Sequence, residues 1–320
     1  MADNLDGWAV VDDRDPSIQY DEGLWRPVKI GPTNGVGIDT TYNGSVMQPV
    51  IRGGMSFKFN GGDGRVLASV AAATERNITD ETIMNSMFSW ECFIDGRQVD
   101  SGALSDIEKG QNNYELCRWR GFSIAERALT VNVSTQEWPF GIDRIEYVPA
   151  VRGGYTIVDP LNPRISTDAF RNETSREVRM NANGSKMTYE YFGTAVACHG
   201  KIEGSTLPSS SATYQVDGED PVSFDVPGSS GIETTGLQLF ETPTRTSGAH
   251  TLTVTYTGSQ ARMPLVVSSL IVQEDPNVPF LLPLPVHRPV TQVLQVSALV
   301  GTQVHRLRLA RRDLVARRFR

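Results

Sequence analysis

The sequence predicts an all-β protein built as two tandem antiparallel β-sandwiches, with a basic, disordered tail behind them. Three observations carry this reading. Apolar and polar residues alternate at period two, the alternating segments recur in the same order in both halves, and the composition favours short strands joined by turns.

The alternation is plain in four segments. Met55, Phe57 and Phe59 face one way while Ser56 and Lys58 face the other; Met187, Tyr189 and Tyr191 do the same against Thr188 and Glu190. Leu129 and Val131, then Leu252 and Val254, continue the pattern. Such spacing marks strands with one buried face. Asp95-Gly96 and Asp217-Gly218 stand where hairpin turns are expected, since glycine accepts positive φ at no steric cost.

The repetition is ordered. "MSFKFNGG" at Met55 matches "MTYEYFGT" at Met187, and "ECFIDGRQVD" matches "TYQVDGEDPV". "ALTVNV" from Ala128 matches "TLTVTY" from Thr251, and "IDRIEYVPA" from Ile142 matches "LVVSSLIVQ" from Leu265. The offset falls from 132 at the first pair to 122 at the second, as loops of unequal length between duplicated domains require. One sandwich is therefore expected over residues 7–149 and a second over 155–274, each of about eight strands, with "AVRGGY" as a short linker. Residues 275–320 form the tail. With eight arginines and no lysine from Arg288 onward, it reads as a disordered segment of the kind a frame or splice error produces, a genuine basic tail being the alternative.

Charge narrows the function. The 320 residues carry a net charge of −7, but the stretch from Arg288 carries +7, so the rest carries −14. An acidic body lacks the clustered lysine and arginine that phosphate neutralisation needs, so nucleic acid is not an expected partner. No apolar run reaches the roughly 18 residues that span a bilayer, and the first residues show no cleavable signal.

Candidate sites are few. Asp12, Asp13 and Asp15 crowd the opening "VVDDRDPSIQY" and are candidate ligands for a structural Ca²⁺, which takes six to eight oxygens. Arg14 among them, and the survival of only Asp159 in the matching "TIVDPLNPRIST", favour instead a turn that leads into a strand. No other cofactor is expected. His199 and His250 lack any accompanying nucleophile or metal spacing and read as ordinary strand positions, so an enzyme is not expected. Glycosylation sequons begin at Asn43, Asn77, Asn132, Asn172 and Asn183, with Asn132 alternating outward from its strand. Sugar binding requires exposed aromatic faces beside hydrogen-bonding groups; Trp25, Trp119 and above all Trp138 are the candidates, while Trp90 shares a face with Cys92 and reads as core.

The order "VDDRDPSIQY", "SWECFIDG", "NNYELCRW", "LTVNV" and "IDRIEYVP" resembles a group of uncharacterised basidiomycete fungal proteins. The resemblance spans roughly residues 7–273. It implies galactose-binding-like jelly-roll domains and an extracellular or cell-surface location, with membrane attachment only through an anchor that this chain lacks. Cys92 and Cys117 match cysteine positions of that pattern and lie in segments expected to neighbour one another, so a disulfide is expected in an exported chain. Cys198 is left as a buried free thiol. The resulting expectation is a non-enzymatic recognition module for extracellular or cell-wall glycans or for another surface protein. A structural spacer without its own ligand is the alternative, and a carbohydrate-active hydrolase stands further off.

Overall fold

The computed structural model describes residues 6–29, 41–70, 88–102, 111–135, 139–151 and 153–275. Residues Met1–Phe280 form one compact unit, and Leu281–Arg320, including most of the basic tail, lie outside the described residues. The first half contributes β1 (Ala9–Asp12), β2 (Ile18–Tyr20), β3 (Trp25–Lys29), β4 (Ser45–Pro49), β5 (Arg52–Val70) and β6 (Ser89–Ile94). It continues with β7 (Arg97–Gln98), β8 (Asp100–Ser101), β9 (Gln111–Trp119), β10 (Ala125–Ser134) and β11 (Phe140–Pro149). The second half contributes β12 (Gly154–Val158), β13 (Ile165–Thr167), β14 (Phe170–Asn172), β15 (Glu177–Met180), β16 (Lys186–Gly193) and β17 (Ala195–Ile202). It closes with β18 (Ser210–Val216), β19 (Val222–Val226), β20 (Thr234–Glu241), β21 (Gly248–Tyr256) and β22 (Leu265–Glu274).

All pairings between these strands are antiparallel, and the two halves share one jelly-roll topology. In the first, the N-terminal part of β5 pairs with β2 and β10, and β10 pairs with β6; the C-terminal part of β5 pairs with β9 and β11. In the second, β16 pairs with β13 and β21, and β21 with β18, while β17 pairs with β20 and β22. The long β5 thus serves both layers of its sandwich, bending through Gly61-Gly62-Asp63-Gly64, whereas its counterpart is broken at Thr194 into β16 and β17. Gly64 is forced: a Cβ there would run into the buried Trp119 ring.

The alternation read from the sequence is the burial pattern observed. Met55, Phe57, Phe59, Leu129 and Val131 lie in one core with Ile142 and Ile145; Met187, Tyr189, Tyr191, Leu252 and Val254 lie in a second with Leu265 and Leu270. Both hairpins turn through two residues at positive φ, Asp95-Gly96 (52° and 76°) and Asp217-Gly218 (54° and 76°). Each aspartate then ties its turn to the neighbouring strand. Asp95 Oδ1 accepts the N–H of Ala128 (2.9 Å) and Oδ2 the guanidinium of Arg127 (2.9 Å). Asp217 Oδ1 accepts the N–H of Thr251 (2.8 Å), with Oδ2 2.7 Å from His250 Nδ1. His250 is therefore a surface clasp.

Cys92 and Cys117 form the expected disulfide, with Cα atoms 6.2 Å apart, but not between neighbouring strands. Cys92 stands opposite Val131 in the layer of β6 and β10, and Cys117 opposite Val66 in the layer of β9 and β5. Both are fully buried, so the bridge staples the two facing layers through the core. Cys198 is buried and free, with burial holding its thiol well above the ordinary range.

The opening segment joins the halves. β1 pairs with β11 on one side (Ala9 opposite Tyr147) and with β12 on the other (Val10 opposite Tyr155). Gly7 N–H donates to Ile157 O and Ile157 N–H to Trp8 O, both at 2.7 Å. Since β12 also pairs with β22, one sheet runs β9–β5–β11–β1–β12–β22–β17–β20 through both sandwiches. A small third cluster of Val10, Tyr42, Ile157 and Ile271 packs over this seam.

Two outcomes test this architecture. Reducing the Cys92–Cys117 bridge should cost roughly 3 kcal/mol on the chain-entropy argument for a loop of this length, measured as the urea midpoint with and without reductant. Deleting residues 1–12 should split a single calorimetric transition into two, because β11 and β12 lose the strand they share; an unsplit transition would contradict the seam.

Candidate functional site

The seam brings together the polar groups that the two halves do not share. Asp12 and Asp15 are turn-formers: Asp12 Oδ1 accepts the N–H of Arg14 (2.9 Å) and Asp15 Oδ1 that of Ser17 (2.8 Å). Asp159 and Asn162 repeat the device, accepting the N–H groups of Leu161 (2.7 Å) and Arg164 (2.8 Å). The three opening carboxylates diverge. Asp12 Oδ2 takes the side-chain amide of Asn43 (2.6 Å), whereas Asp13 turns into the protein and accepts Ser45 Oγ (3.0 Å). Among the described residues no group of three or more His, Cys, Asp or Glu side chains is set to hold a metal ion.

Asp13 is fully buried, and its Oδ2 has no partner among the described residues. Beside it lies a buried ionic network on β11. Asp143 is the extra residue of a β-bulge between Ile142 and Arg144, which turns its carboxylate toward Tyr42 N–H (2.7 Å) and Arg144. Arg144 Nε binds Glu146 Oε1 (2.7 Å) and its Nη1 binds Asn113 Oδ1 (2.5 Å); Arg65 Nη2 takes Glu146 Oε2 (2.7 Å). Burial and the Asp12 charge push the Asp13 carboxyl up to about 8. Burial pushes Asp143 to about 7 against the pull of Arg144. Glu146 is held below its ordinary value, because two arginines overcome its burial.

From the second half, His199 stacks on the Tyr42 ring (centroids 6.0 Å apart), and burial lowers it to about 4, so it is neutral. It is a packing element of the seam.

A cleft opens next to this network on the outer face of the second half's sheet. Its floor is Ala195, Ala197 and Ile271. Tyr155 stands on one side, and the short turn carrying Tyr42 and Asn43, lent by the first half, on the other; Gln238, Glu241 and Gln273 supply polar groups. It is shallow and open to solvent, with a cavity volume of about 30 Å³. Tyr155 is 42% exposed, Glu241 and Gln238 are exposed, and Tyr42 is buried with its ring 5.9 Å from the Arg144 guanidinium on another flank.

The tryptophans read as sugar platforms fare differently. Trp119 is corrected: its ring is 1% exposed and its Nε1 donates to Gly62 O (2.8 Å), so it presents no face. Trp25 is half-buried, stacked at a tilt on Tyr20, seated on Gly53 and hydrogen-bonded to Gly54 O (3.0 Å). Trp90 packs against the first core as expected. Trp138 and Asn77 lie outside the described residues. Asn43, Asn132 and Asn183 are exposed; Asn172 is half-buried, its Oδ1 accepting Thr174 N–H (3.0 Å). The sequence reading missed Tyr155, Gln238, Glu241 and Gln273, whose only signal is their position opposite core residues on alternating strands.

No protein-family model and no curated protein matches the chain. Among solved structures it is similar to the tandem CBM51 modules of a family 98 glycoside hydrolase from Streptococcus pneumoniae, at 11% identity and a TM-score of 0.27 over 83% of this chain and 100% of that one. It is similar to a family 6 carbohydrate-binding module from Clostridium stercorarium in complex with cellobiose, at 14% identity and 0.24 over 39% of this chain and 98% of that one. A family two carbohydrate esterase from Cellvibrio japonicus matches at 14% identity and 0.30 over 39% of this chain and only 35% of the esterase.

The buried carboxyl sets a pH dependence. A folded pKa of about 8, against 3.8 for the free group, means that the folded chain holds the Asp13 proton more tightly than the unfolded one. That stabilisation is complete below pH 4 and is lost as pH rises through about 8. Asp13→Asn should therefore flatten the fall in urea midpoint between pH 5 and pH 8; parallel profiles for the two proteins would show that the group is not buried as a neutral acid.

Proposed function

We propose that the chain is a non-enzymatic recognition module that binds glycans in the seam cleft, in an extracellular or cell-surface setting. The observation that carries the reading is the half-exposed ring of Tyr155 above a floor of two alanines, flanked by the side-chain amides of Asn43, Gln238 and Gln273. An aromatic face gives a sugar ring its apolar contact, and amides that both donate and accept match its hydroxyls. Among the described lining residues Glu241 is the single carboxylate, whereas hydrolysis of a glycosidic bond uses two across the substrate. The disulfide supports an oxidising compartment, and no helix among the described residues is long and apolar enough to cross a membrane.

The shared strand favours a second reading, a stiff spacer that holds two sandwiches in fixed register. A glycan array probed with the full chain from a secretory host separates the two. Binding to plant or fungal polysaccharides that weakens about tenfold in Tyr155→Ala, with unchanged melting, supports recognition. Silence of the folded protein across the array leaves the spacer.

A further inference from the structure

We infer that the seam cleft selects glycans bearing a protonated amine, that is, polymers of 2-amino-2-deoxyhexose, over neutral and acidic ones; the inference rests on the cleft being a glycan site. Among the described residues no lysine or arginine lines the cleft. The one charged group among the described lining residues is the exposed Glu241 carboxylate; there it accepts a hydrogen bond from the side-chain amide of Gln238 at 3.4 Å through Oε2, which leaves Oε1 open to a ligand. A second carboxylate sits at the rim, because Asn43 on the cleft wall holds Asp12 through a 2.6 Å hydrogen bond.

Both charges reach the aromatic walls. Tyr155 is held above its ordinary value by burial, then by Glu241 and Asp12, so both carboxylates act on the same ring. Arg144, beside the Tyr42 ring, is held by Asp143 and Glu146 and is not among the described lining residues. A ligand in the cleft therefore meets negative potential and the exposed face of Tyr155. An ammonium gains from both, as an ion-pair partner and over the ring quadrupole. A uronate is repelled by the same groups, and a neutral hexose gains neither interaction.

Calorimetric titration of the full chain with four probes tests this: the β-1,4 glucosamine hexamer, its N-acetylated counterpart, cellohexaose and oligogalacturonate. The expected order is glucosamine hexamer tightest, by about fivefold over the two neutral hexamers, with no binding of oligogalacturonate. Glu241→Gln should bring the affinities for the glucosamine hexamer and cellohexaose together, removing that fivefold advantage. Equal affinity for the amine and its N-acetylated form, or an advantage that survives Glu241→Gln, overturns the selectivity while leaving glycan binding standing. Failure of all four probes to bind the folded protein overturns the selectivity too, and the array decides separately whether any glycan is bound.

Discussion

The architecture depends on one shared strand. A sandwich edge exposes a row of unpaired N–H and C=O groups, and two sandwiches in tandem would each present one where the chain passes between them. Here β1 fills the edge of β11 and then, on its other side, the edge of β12. The same five residues from Trp8 onward thereby complete the first sandwich and fasten it to the second. Two separate cores survive, but the backbone ladder between them does not stop, and the seam cluster of Val10, Tyr42, Ile157 and Ile271 is what apolar surface remains to be covered there.

A strand used on both sides must be anchored, and the ionic network beside it explains how. Asp13 immediately follows β1 and has no room in solvent; it stays buried as a neutral acid, hydrogen-bonded to Ser45 on β4, while Tyr20 Oη donates to its carbonyl oxygen (2.8 Å). The charged members are paired. Glu146 lies between two arginines, and a buried carboxylate placed that way retains its charge at neutral pH. Removing one partner from such a set leaves an uncompensated buried charge, so the set is costly to break without being a large source of net stability.

The fold was legible because period two and glycine turns are local. Met55–Phe59 and Met187–Tyr191 declare their buried face in five residues, and Asp95-Gly96 and Asp217-Gly218 declare their turns in two. The disulfide partners were legible and their relation was not: whether Cys92 and Cys117 face each other along a layer or across a core depends on β5 bending from one layer to the other. The cleft was not legible at all. Tyr155, Ala197, Glu241 and Gln273 are separated in sequence by up to 118 residues and meet only through strand pairing, and their spacing is that of any solvent-facing position. Trp119 misled for the complementary reason: an indole rich in surface is also a good filler for the space left by Gly64, with Gly62 O taking its N–H.

Duplication gave both halves the same outer sheet face, and the seam cleft lies on that of the second. At the offset that aligns Met55 with Met187, Ala197 corresponds to Arg65. In the first half that position sends a guanidinium across the face to Glu146 and Glu115, so long charged side chains cover it. In the second half the methyl group of Ala197 covers almost nothing, and Ala195 beside it is as small. The gap is then walled from outside by Tyr42 and Asn43, which the first half places there because Tyr42 N–H is fixed on the bulged Asp143. A site of this kind needs both copies: one to leave the floor open and the other to build the wall. It could not have arisen from either sandwich alone, and the strand that binds the two copies together is what keeps wall and floor in register.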